Sequence, residues 1–283
     1  SIRRLERAPG CAPLKESVMQ TLELKQPKSI AEAVRLAAAD SEARLLAGGQ
    51  TLLPALRLGL AVPGALIDLS GLEELRGIRA DSRQLTIGAM CRHSEVASSA
   101  EIGKRLPALA RLAGGIGDRQ VRNLGTLGGS IANSDPAADY PAAVLALGAS
   151  VQTSSRTIPA DGFFTGLFST ALRPGELITS VSFPFADQAG YVKFPQPASH
   201  FALVGVFVAR FGKQVRVAVT GAGAHVMRVP SLEHSLAQRF APEACDGVKV
   251  GSEGLNSDLH GSAAYRAQLI PRLARAAVQQ ALG

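Results

Sequence analysis

The chain has 283 residues, 46% of them hydrophobic and 19% charged, enough apolar material for a large core and too much for an intrinsically disordered protein. The formal charge is +7, but lysine and arginine are dispersed, tryptophan is absent and only 5% of residues are aromatic, so no stacking platform for nucleic acid is present. No apolar run approaches the ~20 residues needed to span a bilayer.

The opening "SIRRLERAPGCAPLKESVMQ" is basic but has no apolar h-region, so it is not a secretory signal. Residues 1–18 read as a leader or a vector-derived remnant, with Met19 as the natural start before a strand-like "QTLELKQP". "SIAEAVRLAAAD" carries a capping box, Ser29 with Glu32, and an apolar stripe of Ile30, Ala33, Val34 and Ala37, which predicts a helix. "ARLLA" predicts a strand. The turn Gly48–Gly49 follows, and then a short helix capped by Thr51 and stopped at Gly59. "GALIDLSGLEELRGIRADSRQLTIGAM" predicts a strand, a single turn and a hairpin reversing at "DSRQ". A helix is expected from Ser94 to Ala113.

The second glycine pair, Gly128–Gly129, lies in "GTLGGSIANSDPAADYP". Asp139 then stands as an N-cap with Pro141 in the first turn of an apolar helix that ends at Gly148. "ELITSVSFPF" predicts a strand, and the stretch from Pro184 to Gly190 is the domain boundary. Beyond it, "FALVGVFVARFGKQVRVAVTGAG" predicts a long hairpin turning at "FGKQ", followed by helices after Ser231 and from Ser262 to Leu282.

Cys11, Cys91 and Cys245 are far apart, without a C-x-x-C pair and too few for a four-cysteine iron–sulfur cluster. The scarcity of cysteine excludes a disulfide framework and points to a reducing cytoplasm. His93, His200, His225, His234 and His260 adjoin no nucleophile or paired carboxylates in a recognisable motif, and structural or surface roles are expected for each.

Two glycine pairs at the ends of apolar stretches, each flanked by hydroxyl residues, suit an anion. Without a Cβ, successive backbone N–H groups converge on one point, as a diphosphate requires. The alternative for either pair alone is a tight turn needing positive φ. Neither the G-x-G-x-x-G fingerprint nor the G-x-x-x-x-G-K-[ST] loop is present, so a dinucleotide would use another fold.

The stretches "LLAGGQTLLPALRLGLAVPGALIDLSGLEELRGI", "TIGAMCRH", "IGDRQVRNLGTLGGSIANSDPAADYPAAVLALGA", "ELITSVSFP" and "SDLHGSAAYRAQLIPRLARAAV" together resemble the FAD-binding medium subunit of the molybdenum hydroxylases, the xanthine dehydrogenase and carbon monoxide dehydrogenase family. The resemblance covers nearly the whole chain after residue 18. It implies an α+β fold: a p-cresol methylhydroxylase-type FAD-binding domain of two subdomains (19–186, divided near 75), then a C-terminal domain (187–283) built as a small antiparallel sheet with helices. It further implies that Ala47, Gly48, Gly49, Gln50, Thr51 and Leu52 form one phosphate-binding segment and Thr126, Leu127, Gly128, Gly129 and Ser130 the other. Asp139 matches an acidic residue near the sugar hydroxyls, a role that coexists with capping. Ile116, Leu177, Ile178 and Lys193 match flavin-lining positions; core packing for Ile116 and an exposed strand lysine for Lys193 are the alternatives.

Gln50 stands where many relatives have His or Thr. Since related flavoproteins attach flavin covalently through histidine, FAD is expected to be noncovalent here. The cysteine-bearing cluster loop of the benzoyl-CoA reductase branch is absent. The resemblance places molybdopterin and iron–sulfur clusters in partner subunits, a large and a small one, joined as a dimer of heterotrimers. The function expected is electron transfer from those clusters through FAD to an external acceptor. Two other readings stay open: a self-contained flavin oxidase or dehydrogenase, and an adaptor that has lost flavin.

Overall fold

The computed structural model describes residues 22–283. The expected leader or remnant (1–18), the expected start at Met19, Cys11 and the first part of the strand-like "QTLELKQP" lie outside the described residues.

The chain begins with β1 (Glu23–Lys25), α1 (Ile30–Ala39), β2 (Arg44–Leu46), α2 (Leu52–Arg57) and β3 (Ala65–Asp68). The three strands form a parallel sheet in the order β1-β3-β2. The α1 stripe explains its docking: Ala33 is fully buried with Ile67, Leu69, Leu72 and Leu75, and Ile30, Val34 and Ala37 pack around it. Ser29 caps the helix, its Oγ accepting from the Glu32 N–H at 3.2 Å.

Next come β4 (Ile78–Ala80), β5 (Gln84–Gly88), α3 (His93–Ser98), α4 (Ala100–Arg105), α5 (Pro107–Gly114), α6 (Arg119–Leu124), α7 (Leu127–Asn133) and α8 (Tyr140–Ala146). They are followed by β6 (Ser150–Thr153), β7 (Thr157–Pro159), β8 (Phe164–Gly166), β9 (Ser169–Thr170) and β10 (Ile178–Pro184). A five-stranded antiparallel sheet, in the order β4-β5-β10-β6-β7, backs the helices. The hairpin at "DSRQ" is present as β4–β5.

The single helix expected from Ser94 to Ala113 is three. Ser99 leaves the helical region (φ −66, ψ 119) and caps α4 by accepting from the Ile102 N–H. Pro107 then drives Leu106 out of the α region, to φ −139 and ψ 64, before starting α5. Apolar periodicity runs on across both breaks, since all three helices bury residues in the same core.

The remainder comprises β11 (Gln188–Pro195), β12 (Ala202–Phe211), β13 (Gln214–Thr220), β14 (Met227–Arg228), α9 (Pro230–Gln238) and α10 (Ala263–Leu282). The strands form an antiparallel sheet in that order. β12 and β13 are buried along almost their whole length. One side of the sheet packs on α9 and α10 through Val204, Val206, Val217, Ile270 and Ala274; the other joins the preceding core through Phe207, Ala209 and Ala218. The fold is thus α+β, as the sequence indicated, and its third sheet is anchored against the helices that frame the site.

Candidate functional site

Between the parallel sheet and the helices lies a cavity of about 610 Å³, with both glycine pairs on its wall. The first pair follows β2. Gly49 has φ +70, a left-handed conformation that glycine adopts without strain. Gly48 faces the chain between α6 and α7, where a Cβ would lie against the Leu124 carbonyl and 2.7 Å from the Gly125 Cα. Two backbones meet there, so only glycine fits. Among the described residues, no group accepts from the N–H of Gly48, Gly49, Gln50 or Thr51. Thr51 is already helical (φ −111, ψ −47) and makes no capping bond, contrary to expectation, so its hydroxyl is available too. Consecutive free amides around a glycine turn form a nest for an anion.

The second pair is constructed differently. "GTLGGS" is the start of α7 rather than an open turn, and the helix's first amides are committed within the protein. The Leu127 N–H donates to the Cys91 carbonyl (3.0 Å), Gly128 to the Ala89 carbonyl (2.8 Å), Gly129 to the Thr126 Oγ1 (3.2 Å) and Ser130 to the Thr126 carbonyl (3.0 Å). Gly128 is there for close packing: a Cβ would lie 2.6 Å from the Ala89 Cβ. Gly129 is turned toward the first loop, where a Cβ would come 3.5 Å from the Ala47 Cβ and 3.0 Å from the Thr126 Oγ1. The first loop therefore offers donors, while the second offers a bare surface with the hydroxyl residues Thr126 and Ser130 beside it.

Farther along the wall lie Ile116 after α5, Leu177 and Ile178 at the start of β10, and Ser199, His200 and Phe201 between β11 and β12. Glu176 is buried and accepts from Arg156, Thr153, Ser155 and the Arg173 N–H. Arg156 foremost holds this carboxyl down to about 2. His93 opens α3 beneath the second loop, its backbone N–H donating to the Gly125 carbonyl at 2.9 Å and its ring Nδ1 buried without a partner. Burial, and then Arg122, lowers its pKa to about 4, so the ring is neutral. Asp139 begins α8 in helical geometry but makes no cap bond. The Tyr191 hydroxyl donates to its Oδ1 at 2.5 Å and the Lys193 ammonium lies 3.0 Å away, while burial pushes its carboxyl up against both.

Of the residues singled out from sequence, the structure brings Ala47, Gly48, Gly49, Gln50, Thr51, Leu52, Ile116, Thr126, Gly128, Gly129, Ser130, Asp139, Leu177 and Ile178 to one cavity. Leu127 and Lys193 are not on its wall: Leu127 is fully buried in the core and the Lys193 ammonium is bonded to protein groups. Sequence reasoning missed Asp135, Glu176 and the Ser199–Phe201 segment, which also line the cavity. The Pro-Gly-Glu in "RPGELI" is the one local signal for Glu176; nothing local marks the others. His93 was assigned a structural or surface role; it is buried at this wall.

The donor set suits a dinucleotide. A turn of free amides can receive a diphosphate, and apolar side chains can flank a ring system. The bare face of Gly129 keeps the space between the loops clear, since a side chain there would project toward Ala47. Among the described residues, no cluster of His, Cys, Asp and Glu could hold a metal ion, and Cys91 and Cys245 are buried and free. The residues of the wall therefore fit FAD.

Comparison with known proteins agrees. Residues 20–186 match the model of the FAD binding domain in molybdopterin dehydrogenase. The chain is 35% identical to the nicotine 6-hydroxylase medium subunit of Paenarthrobacter nicotinovorans, over 90% of this chain and 95% of that one. It is 36% identical to the carbon monoxide dehydrogenase medium chain of Hydrogenophaga pseudoflava, over 92% and 96%. Among solved structures, carbon monoxide dehydrogenase from Hydrogenophaga pseudoflava superposes with a TM-score of 0.82 at 34% identity, covering 92% of this chain and 97% of that one. Quinoline 2-oxidoreductase from Pseudomonas putida 86 gives 0.83 at 28% identity, covering 92% and 96%. With the family model matched over more than half its length, the chain belongs to the family of FAD-binding domains of molybdopterin dehydrogenases.

Proposed function

We propose that the chain is the FAD-carrying medium subunit of a multi-subunit molybdenum hydroxylase, working in the cytoplasm with an iron–sulfur small subunit and a molybdopterin large subunit in a dimer of heterotrimers. Bound FAD would take electrons from an iron–sulfur cluster of the small subunit and deliver them to an external acceptor. The chain's own residues do the holding. The free amides of Gly48–Thr51 receive the diphosphate, and Thr126, Gly129 and Ser130 close its other side. Asp139 lies toward the sugar hydroxyls, and Ile116, Leu177 and Ile178 flank the ring. Gln50, which cannot form a covalent bond to flavin, leaves FAD noncovalent, so denaturation by acid should release it free. The FAD-binding domain spans 19–186 in two subdomains divided near 75, and 187–283 forms the closing domain.

The observation that carries this reading is a cavity with a nest of free amides at Gly48–Thr51 on its wall, suited to holding the diphosphate of a redox cofactor. Stopped-flow absorbance tests it. The flavin of the isolated chain should stay oxidised with small organic substrates and bleach rapidly once the iron–sulfur and molybdenum partners and their substrate are added. Fast substrate-dependent bleaching of the lone chain would make it a self-contained dehydrogenase.

A further inference from the structure

Five large apolar side chains stand in solvent on the outer side of the cavity wall: Leu53, Leu58, Leu60 and Val62 on α2 and the turn that closes it, and Leu124 at the end of α6, between 41% and 77% exposed. Leu53 lies against Gly49, and the neighbouring Gly48 abuts the Leu124 carbonyl, so α2 and the end of α6 adjoin where the two loops meet. The turn after α2 folds back on the helix, the Leu60 N–H donating to the Ala55 carbonyl at 2.8 Å. A single exposed leucine needs no explanation, but this concentration marks a surface made for a partner. The same two helices turn their inner sides to the cavity, through Leu52, Ala55 and Val121. One helix layer, about 10 Å thick, therefore separates the exposed face from a bound cofactor.

The charges on this face have one sign. No Asp or Glu occurs from residue 43 to 67 or from 119 to 134, whereas Arg57 and Arg119 are exposed there. Neither pairs with a carboxylate among the described residues. Arg122 is spent within the chain, on the Ile116 and Gly117 carbonyls. Glu42, Asp68 and Asp118 border the two stretches, and Asp118 is engaged in capping α6, accepting from the Val121 N–H at 2.8 Å. An apolar surface with unpaired arginines beside it fits a partner surface that is apolar with carboxylates around it. A second copy of the chain fits badly, because arginine would face arginine.

We propose that this face, formed by α2 with its closing turn and the outer side of α6, docks the iron–sulfur small subunit through an apolar contact bordered by carboxylates of that subunit. This rests on the FAD reading above and deepens it: a subunit seated here is one helix away from the cofactor it must reduce.

Photocrosslinking in the assembled complex tests the docking directly. With p-benzoylphenylalanine in place of Leu60, irradiation should join the chain to the small subunit, identified by mass spectrometry, and the same group in place of Lys213, exposed at the "FGKQ" reversal, should not. Capture of the large subunit, of a second copy or of nothing at position 60 would overturn the proposal. In the double variant Leu58→Asp, Leu60→Asp the chain should keep its FAD and its unfolding midpoint, because both side chains already stand in water. It should nevertheless bind the small subunit at least about a hundredfold more weakly. Arg57→Glu with Arg119→Glu should weaken binding about tenfold at low salt, a deficit that shrinks as salt is raised, while Lys213→Glu should bind as wild type. Unchanged binding in either double variant would overturn the docking face. Should a variant not fold, the crosslink decides. A complex that assembles without FAD would refute the reading beneath the proposal, whereas capture at position 60 would still identify what covers the face.

Discussion

Gly48–Gly49 and Gly128–Gly129 look alike in sequence and each lies at the start of a short helix, yet the first turn leaves its amides free and the second commits them to the protein. The difference comes from where each helix begins. α2 starts three residues after Gly49, so the glycines lie outside it. α7 starts at Leu127, so the glycines lie within its first turn, whose amides go to Cys91, Ala89 and the Thr126 hydroxyl. Glycine thus serves two ends in one site: bare donors in one loop and close approach in the other. The loops also lean on each other, Gly48 against Gly125 and Gly129 toward Ala47.

The largest effects should come where backbone meets backbone. Gly48→Ala pushes a Cβ into the Leu124–Gly125 backbone, and Gly128→Ala pushes one into Ala89. Each should lower stability by about 4 kcal/mol in urea unfolding and lose FAD along with the fold. Tolerance of Gly48→Ala would show that the two loops do not touch, and tolerance of Gly128→Ala that α7 does not pack against Ala89.

Acid challenges the support of the second loop. The native pKa of His93, about 4, lies below its ordinary 6.5, so the unfolded chain binds the proton more tightly. The contribution of the neutral ring is complete above pH 6.5 and is lost as the pH falls from 6.5 toward 4, on the order of 3 kcal/mol. His93→Gln should flatten this part of the stability profile of the FAD-free chain; an unchanged slope would place the linkage elsewhere.

Gly129→Val separates shape from stability. A Cβ there meets only the Thr126 Oγ1 and the Ala47 Cβ, so the chain should fold while binding FAD about a hundredfold more weakly. Gly71→Val, where nothing lies within 4 Å of a Cβ, is the control and should bind normally. The smallest effect is expected at the two threonines. Thr126→Ala removes a cap and should cost the FAD-free chain about 1 kcal/mol, whereas Thr51→Ala removes none and should leave its unfolding midpoint unchanged.

Much of this was legible in sequence because the signals are local. The α1 cap and stripe, the "DSRQ" and "FGKQ" reversals and the glycine pairs each occupy a few consecutive residues. Other features depend on distant partners. The Asp139 carboxylate is bonded by a tyrosine 52 residues away, which is why a capping role read from its neighbours fails. α7 was missed because two glycines in its first turn weaken any helix signal, and the amide partners that fix it belong to Cys91 and Ala89. The breaks at Ser99 and Pro107 carried local signals, a hydroxyl cap and a proline, that were outweighed by the continuous apolar period.

Amide-resolved hydrogen exchange by NMR, with and without FAD, tests the contrast between the loops most directly. FAD should slow exchange of the Gly48, Gly49, Gln50 and Thr51 amides by about a hundredfold or more, because they gain their first acceptors, and should leave Leu127, Gly128 and Ser130 nearly unchanged, because theirs are already in place. Protection gained at 127–130 with none at 48–51 would contradict the assignment of the diphosphate to the first loop.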